Sequence, residues 1–163
     1  MSVNRETIER AREIGLFGGL GDEELETFVG GLAELQPDPG TVIFEEGKTG
    51  RELFVILDGE VEILRQSKRG LEARVAVLGP GDWFGEMSIL DVLPRSATAR
   101  VIAPARLLRL TALELDALYR RDVRSYSLVV LNIAREMSRR LRVADGLLAE
   151  LVGNMLDQYT RRG

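Results

Sequence analysis

The sequence contains no cysteine and no histidine. Without cysteine there is no disulfide, thiolate metal site, iron–sulfur cluster or cysteine nucleophile. Without histidine, the commonest metal ligand and the commonest general acid or base at neutral pH are also missing. Together these absences point away from an enzyme and away from a resident metal. Aromatic residues make up only 6%. No window reaches the roughly 18 apolar residues that a membrane-spanning helix needs, and residues 1–15 are charged, with no apolar stretch of the kind that marks a secretory signal. The expected setting is the reducing cytoplasm, with no membrane partner.

What is present is ordinary for a globular chain. At 163 residues, 45% hydrophobic and 29% charged, it reads as one domain over residues 1–163. The net charge of -4 conceals an uneven split. Residues 1–94 carry 9 basic and 19 acidic groups, whereas residues 95–163 carry 13 and 7. The basic excess is mostly arginine in helical stretches, Arg120, Arg121, Arg124, Arg135, Arg139, Arg140 and Arg142. With no groove-reading motif beside it, this pattern reads as a solvated helix face, and DNA is not an expected partner of this chain.

Hydrophobic periodicity divides the chain into three parts. Residues 1–36 read as N-terminal helices. The first holds Ile8, Ala11 and Arg12 and stops at Leu16-Phe17-Gly18-Gly19; the second opens at Asp22, an N-cap, and repeats Leu25, Phe28, Val29 and Leu32 at helical spacing. Residues 40–110 switch to period two with recurrent glycine, predicting strands at 41–46, 53–58, 61–65, 73–78, 97–102 and 107–110. Asp58-Gly59 predicts a two-residue hairpin, and Lys68-Arg69-Gly70 and Gly79-Pro80-Gly81-Asp82 predict further turns. Residues 111–163 return to helix at the capping box Thr111–Glu114. The fold class is α+β: an antiparallel β-roll (jelly-roll barrel) flanked by N-terminal helices and a long C-terminal helix.

That last helix, placed at about 126–160, repeats Val130, Ala134, Met137, Leu141, Ala144, Leu148, Leu151 and Met155 at alternating spacings of four and three. Such a heptad seam predicts a homodimer through the C-terminal helix, a parallel coiled coil. Gly146 and Gly153, seven apart, permit close approach or a bend.

The chemistry concentrates in residues 84–98, an insertion where a simple turn would have closed the roll. Gly85 lets backbone approach a ligand closely, and a short helix over 86–90 presents free N–H groups. Arg95, fixed behind Pro94, offers a fork of donors suited to two phosphate oxygens, and Ser96 adds a hydroxyl. Glu86 is acceptor-only when ionised and suits a sugar hydroxyl better than a phosphate. The bland alternative is that Glu86 and Arg95 pair with each other.

The run Phe84-Gly85-Glu86-Met87-Ser88-Ile89-Leu90, four residues, then Arg95-Ser96-Ala97-Thr98 resembles the phosphate-binding cassette of the cyclic-nucleotide-binding domain family. The likeness extends from about Leu16 to about Leu151. It implies that Glu86 takes the ribose 2′-hydroxyl, Arg95 the cyclic phosphate, and Gly85, Met87, Ser88, Ser96 and Ala97 contacts around it. Val61, Ile63, Val75 and Val77 are implied to line the apolar side toward the base. Serine at 96 favours cyclic AMP, while Asp145, at the C-terminal-helix position implied to meet the base, would suit cyclic GMP. The function implied is a non-catalytic regulatory module that repositions its C-terminal helix for a downstream protein partner. Two other readings stand beside it: a regulator of the catabolite-activator type without its DNA-binding part, since only about a dozen residues follow Leu151, and a ligand-free structural dimer.

Overall fold

The computed structural model describes residues 3–160. Two helices open the chain, α1 (Arg5–Arg12) and α2 (Asp22–Gly30), joined through a 3-10 turn at Gly15–Phe17. α1 is capped by the Asn4 side chain, which accepts from the Thr7 amide. α2 is capped by Gly21, so Asp22 is its first helical residue and acts through the helix dipole with Glu23 and Glu24.

Six strands follow: β1 (Ala33–Leu35), which falls in the 1–36 stretch expected to be helical and is made a strand by pairing with Leu107–Arg109, then β2 (Val42–Phe44), β3 (Glu52–Gln66), β4 (Glu72–Leu78), β5 (Trp83–Phe84) and β6 (Thr98–Thr111). They form one antiparallel sheet in the order β1-β6-β3-β4, with β2 also on β6 and β5 on β3. The Asp58-Gly59 hairpin does not form. β3 runs unbroken through those residues, and the segments 97–102 and 107–110 likewise merge into β6. The register against β6 shifts on both sides of Asp58, so Asp58-Gly59 is a bulge. Gly59 has φ +87° there, and a Cβ would lie 2.4 Å from the Pro104 carbonyl oxygen. A glycine with positive φ serves a bulge as well as a hairpin, and sequence does not separate the two. The β3–β4 hairpin turns at Ser67–Gly70, as the basic turn suggested, with the Ser67 amide donating to the Leu71 carbonyl.

The long strands separate two cores. Leu53, Val55 and Leu57 of β3 face the helices with Phe17, Phe28, Val29, Leu118, Val129 and Ile133. Phe54 and Ile56 face the roll interior with Val61, Phe84, Val101 and Leu107. Alternation therefore buries both faces of β3 from Leu53 to Leu57.

After the single turn α3 (Met87–Leu90) and β6, the chain folds into α4 (Ala112–Arg121), whose Thr111/Glu114 capping box is fully formed, and α5 (Val123–Thr160). α5 begins three residues earlier than the pattern indicated and stays helical through Gly146 and Gly153. Its first half packs on the roll through Val129 and Ile133; from Leu141 to Gln158 every residue is exposed. No described helix is long and apolar enough to cross a membrane.

Candidate functional site

The cassette encloses a cavity of about 310 Å³, lined by Phe44, Ile63, Ala76, Leu78, residues 84–88 and 95–97, and Arg140. Its polar groups cluster at one end and its apolar wall lies on β3 and β4. That division suits a ligand with one charged and one flat apolar part.

Arg95 stands at the polar end with only 4% of the residue exposed. Two glycines make room for it: a Cβ at Gly50 would lie 2.7 Å from Nη2, and one at Gly85, where φ is +86°, would lie 2.9 Å from Nη1. Phe44 lies under the guanidinium, 4.1 Å from carbon to ring centroid, and belongs to a cluster with Phe54 and Phe84. Nη1 donates to the carbonyl oxygens of Glu52 (2.7 Å) and Gly85 (3.1 Å), and Nη2 donates to the Glu52 carboxylate at 2.8 Å. Glu52 thus grips one edge of the fork. Nε is buried with no hydrogen-bond partner among the described residues, so at least one N–H of the fork is unanswered. Burial pushes the Arg95 pKa down, against the pull of Glu52.

Glu86 is the residue before α3 and is 6% exposed. Burial raises its pKa, opposed by hydrogen bonding to its own backbone and by Arg140. Its Oε1 is 3.6 Å from Nη1 of Arg140, which reaches over from α5. Arg140 also donates from Nη2 to the Trp83 carbonyl and from Nε to Glu136, each at 2.8 Å. Glu86 and Arg95 make no hydrogen bond or ion pair with each other, so each carries a different partner to the cavity. Ser88 is buried, and the exposed Ser96 hydroxyl lies 3.6 Å from the Met87 sulfur.

Of the implied contacts, Gly85, Glu86, Met87, Ser88, Arg95, Ser96, Ala97 and Ile63 meet at this cavity. Three of the implied base-wall residues do not. Val61 is fully buried in the roll core, while Val75 and Val77 are 56% and 46% exposed. The reason is register: Ile63 pairs directly with Ala76, and this places Ala76 and Leu78 on the cavity side of β4 and Val75 and Val77 on the other. Asp145 is exposed on α5, away from the cavity lining; Arg140, five residues earlier, is the α5 residue that reaches it. Sequence reasoning also missed Glu52, Phe44 and Phe84. Phe84 was legible as part of the cassette, but Glu52 and Phe44 are 43 and 51 positions from Arg95 and reach it only through strand pairing.

A roll with a buried arginine that keeps an unmet N–H, an acidic neighbour and a second arginine reaching in from α5 defines a small-ligand cavity. The family model "Cyclic nucleotide-binding domain" matches residues 35–122, and the chain belongs to that family. Among its relatives is the cyclic AMP receptor protein of Thermus thermophilus, 38% identical over 134 residues, covering 80% of this chain and 58% of the relative. The crystal structure of a cyclic nucleotide-binding domain from Methylobacillus flagellatus superposes with a TM-score of 0.79 at 26% identity, covering 88% of this chain and 81% of that one. The regulatory domain of Toxoplasma gondii PKA, crystallised with cAMP, gives 0.64 at 28%, covering 71% and 45%. The chain spans 58–60% of the length of the curated regulators it matches first.

Proposed function

We propose that this chain binds a cyclic nucleotide in the cassette cavity, with cyclic AMP preferred to cyclic GMP, and transmits occupancy through α5. The observation that carries this is the unpartnered, buried Nε–H of Arg95 at the cavity. A buried N–H without an acceptor is costly, and a phosphate oxygen is an acceptor that an arginine fork can take, two at a time where a second N–H turns to it. Glu86 then accepts a ribose hydroxyl, and Ser88 and Ser96 complete the polar end. The base lies against the side chains of Ile63, Ala76 and Leu78, none of which can hydrogen-bond. Guanine would bring N1 and N2 donors to that wall unanswered, whereas adenine sacrifices less, so the preference falls to cyclic AMP.

The output follows from Arg140. It ties α5 to the Trp83 carbonyl at the foot of the cassette and sits beside Glu86. A ligand that claims Glu86 changes what Arg140 is offered, and so changes the balance between two arrangements of α5. The module works by binding alone, for a downstream protein that reads the helix.

Calorimetry with cyclic AMP and cyclic GMP tests this on the wild-type chain and on Arg95→Ala. Cyclic AMP is expected to bind more tightly than cyclic GMP. Arg95→Ala removes two charge-assisted hydrogen bonds at about 1.5–3 kcal/mol each, so affinity should fall by roughly 10²–10³-fold or more. An unchanged affinity in Arg95→Ala would overturn the site.

A further inference from the structure

Cysteine is absent, so the thioethers of four methionines are the only sulfur in this chain. They are unequally placed. Met1 lies outside the described residues, Met137 is half-buried against the helix-facing core, and Met155 is 52% exposed far along α5. Met87 differs from these: it opens α3, lines the cassette cavity and is still 42% exposed. Its sulfur accepts from the Ser96 hydroxyl at 3.6 Å. This thioether is therefore open to an oxidant from solvent and is joined to a polar group of the cavity.

We infer that Met87 is an oxidation site for hydroperoxides and that its sulfoxide weakens the hold of the cavity on a nucleotide phosphate. This inference rests on the cyclic-nucleotide reading of the cavity. In the reaction a sulfur lone pair attacks the outer oxygen of hydrogen peroxide, the S–O bond forms and the O–O bond breaks. The proton of the transferred hydroxyl passes to the departing hydroxide, which leaves as water. Sulfur is oxidised by two electrons and the peroxide is reduced by two.

The consequence for the ligand follows from acceptor strength. A thioether is a weak acceptor, so in the unmodified chain the Ser96 hydroxyl turns from Met87 to a phosphate oxygen at little cost. A sulfoxide oxygen is polar and accepts strongly. It keeps the Ser96 hydroxyl, and it brings partial negative charge to the end of the cavity where the phosphate charge would lie. Both effects oppose an anion. In the other direction, a nucleotide seated in the cavity covers the sulfur and slows its attack on peroxide.

Dilute hydrogen peroxide on the full chain tests this, with peptide mapping by mass spectrometry to locate the added oxygen and calorimetry with cyclic AMP before and after treatment. In the wild type, Met87 is expected to gain one oxygen, and affinity for cyclic AMP to fall by about ten-fold, the worth of one charge-assisted hydrogen bond. Methionine sulfoxide reductase should restore it. Met87→Leu, compared only with its own untreated sample, should show no fall on treatment, whereas Met155→Leu should fall as the wild type does. Saturating cyclic AMP during treatment should slow oxidation of Met87 and leave that of Met155 unchanged. Peroxide that oxidises Met155 and passes Met87 by, an affinity that survives complete oxidation of Met87, or an equal fall in Met87→Leu would overturn the inference while leaving the cyclic-nucleotide reading intact. A wild type that binds no cyclic nucleotide before treatment overturns the reading of the cavity, and the inference with it.

Discussion

Two arginines of the same roll are used in opposite ways. Arg106, on β6, is answered by three carboxylates and a hydroxyl: Nε donates to Glu34 at 2.9 Å, Nη1 to Glu6 at 3.2 Å and Asp58 at 3.3 Å, and Nη2 to the Thr7 hydroxyl at 3.1 Å. This cluster ties α1 to the roll. Its hydrogen bond to Glu34 outweighs burial and raises the Arg106 pKa, while burial lowers that of Arg95. Arg95 is the more deeply buried, yet it keeps an unanswered N–H. A scaffold arginine has its donors matched within the fold, whereas a ligand-site arginine leaves an edge to be matched from outside, at a cost in stability.

The contrast is sharpest when each side chain is removed. Arg106→Ala leaves Glu34 buried without its cation and should destabilise the fold by about 3 kcal/mol, with nucleotide affinity unchanged. Arg95→Met, which keeps much of the volume, should cost less than about 1 kcal/mol or even stabilise, because it also removes an unmet buried donor. Urea unfolding of both variants measures the difference. Equal losses would mean that Arg95 is a scaffold arginine after all.

A somewhat smaller effect is expected one step away from the Arg106 cluster. Gly59→Ala places a Cβ against the Pro104 carbonyl at a φ of +87°, within the bulge that aims Asp58 at Arg106. A loss of about 2 kcal/mol is expected, read as a lower urea midpoint. A stability within about 0.5 kcal/mol of wild type would show that the bulge relaxes freely.

The smallest effect separates two buried carboxylates by the sign of their pH dependence. Burial alone would raise the Glu34 pKa, but hydrogen bonds from Arg106 and Thr7 overcome it and hold it below the ordinary value of 4.5. Its stabilisation is therefore complete above that value and is lost as pH falls through the lowered pKa. Glu86 is held above 4.5 by burial, so it weakens the fold at neutral pH, and that penalty disappears as pH falls through the raised pKa. Thermal melts from pH 3 to 8 should show Glu34→Gln lowering the neutral-pH midpoint and Glu86→Gln raising it by a few degrees. Shifts of the same sign would break the contrast.

The sequence was informative where its signals are local. Helical repeats, the Thr111–Glu114 capping box and the basic β3–β4 turn depend on residues a few positions apart, and the structure has each of them. The cassette residues Gly85, Glu86, Met87, Ser88, Arg95, Ser96 and Ala97 are close enough in the chain to be read as one cavity edge. Errors arose where register decides. A positive-φ glycine after aspartate serves a hairpin or a bulge, and only the pairing of β3 with β6 selected the bulge. The apolar residues of β4 alternate with a small alanine, and only the pairing of Ile63 with Ala76 showed that Val75 and Val77 face outward.

The amino-acid sequence by itself determined the composition, the main helices, the cassette and the heptad seam, because each is written in short-range order along the chain. Tertiary structure alone decided that Glu52 and Phe44 hold Arg95, that Arg140 rather than Asp145 reaches the cavity, and that Arg106 binds α1 to the roll. Those partners are separated by dozens of residues. What brings them together is the register of the long strands and the angle at which α5 leaves the roll, and no local pattern encodes either.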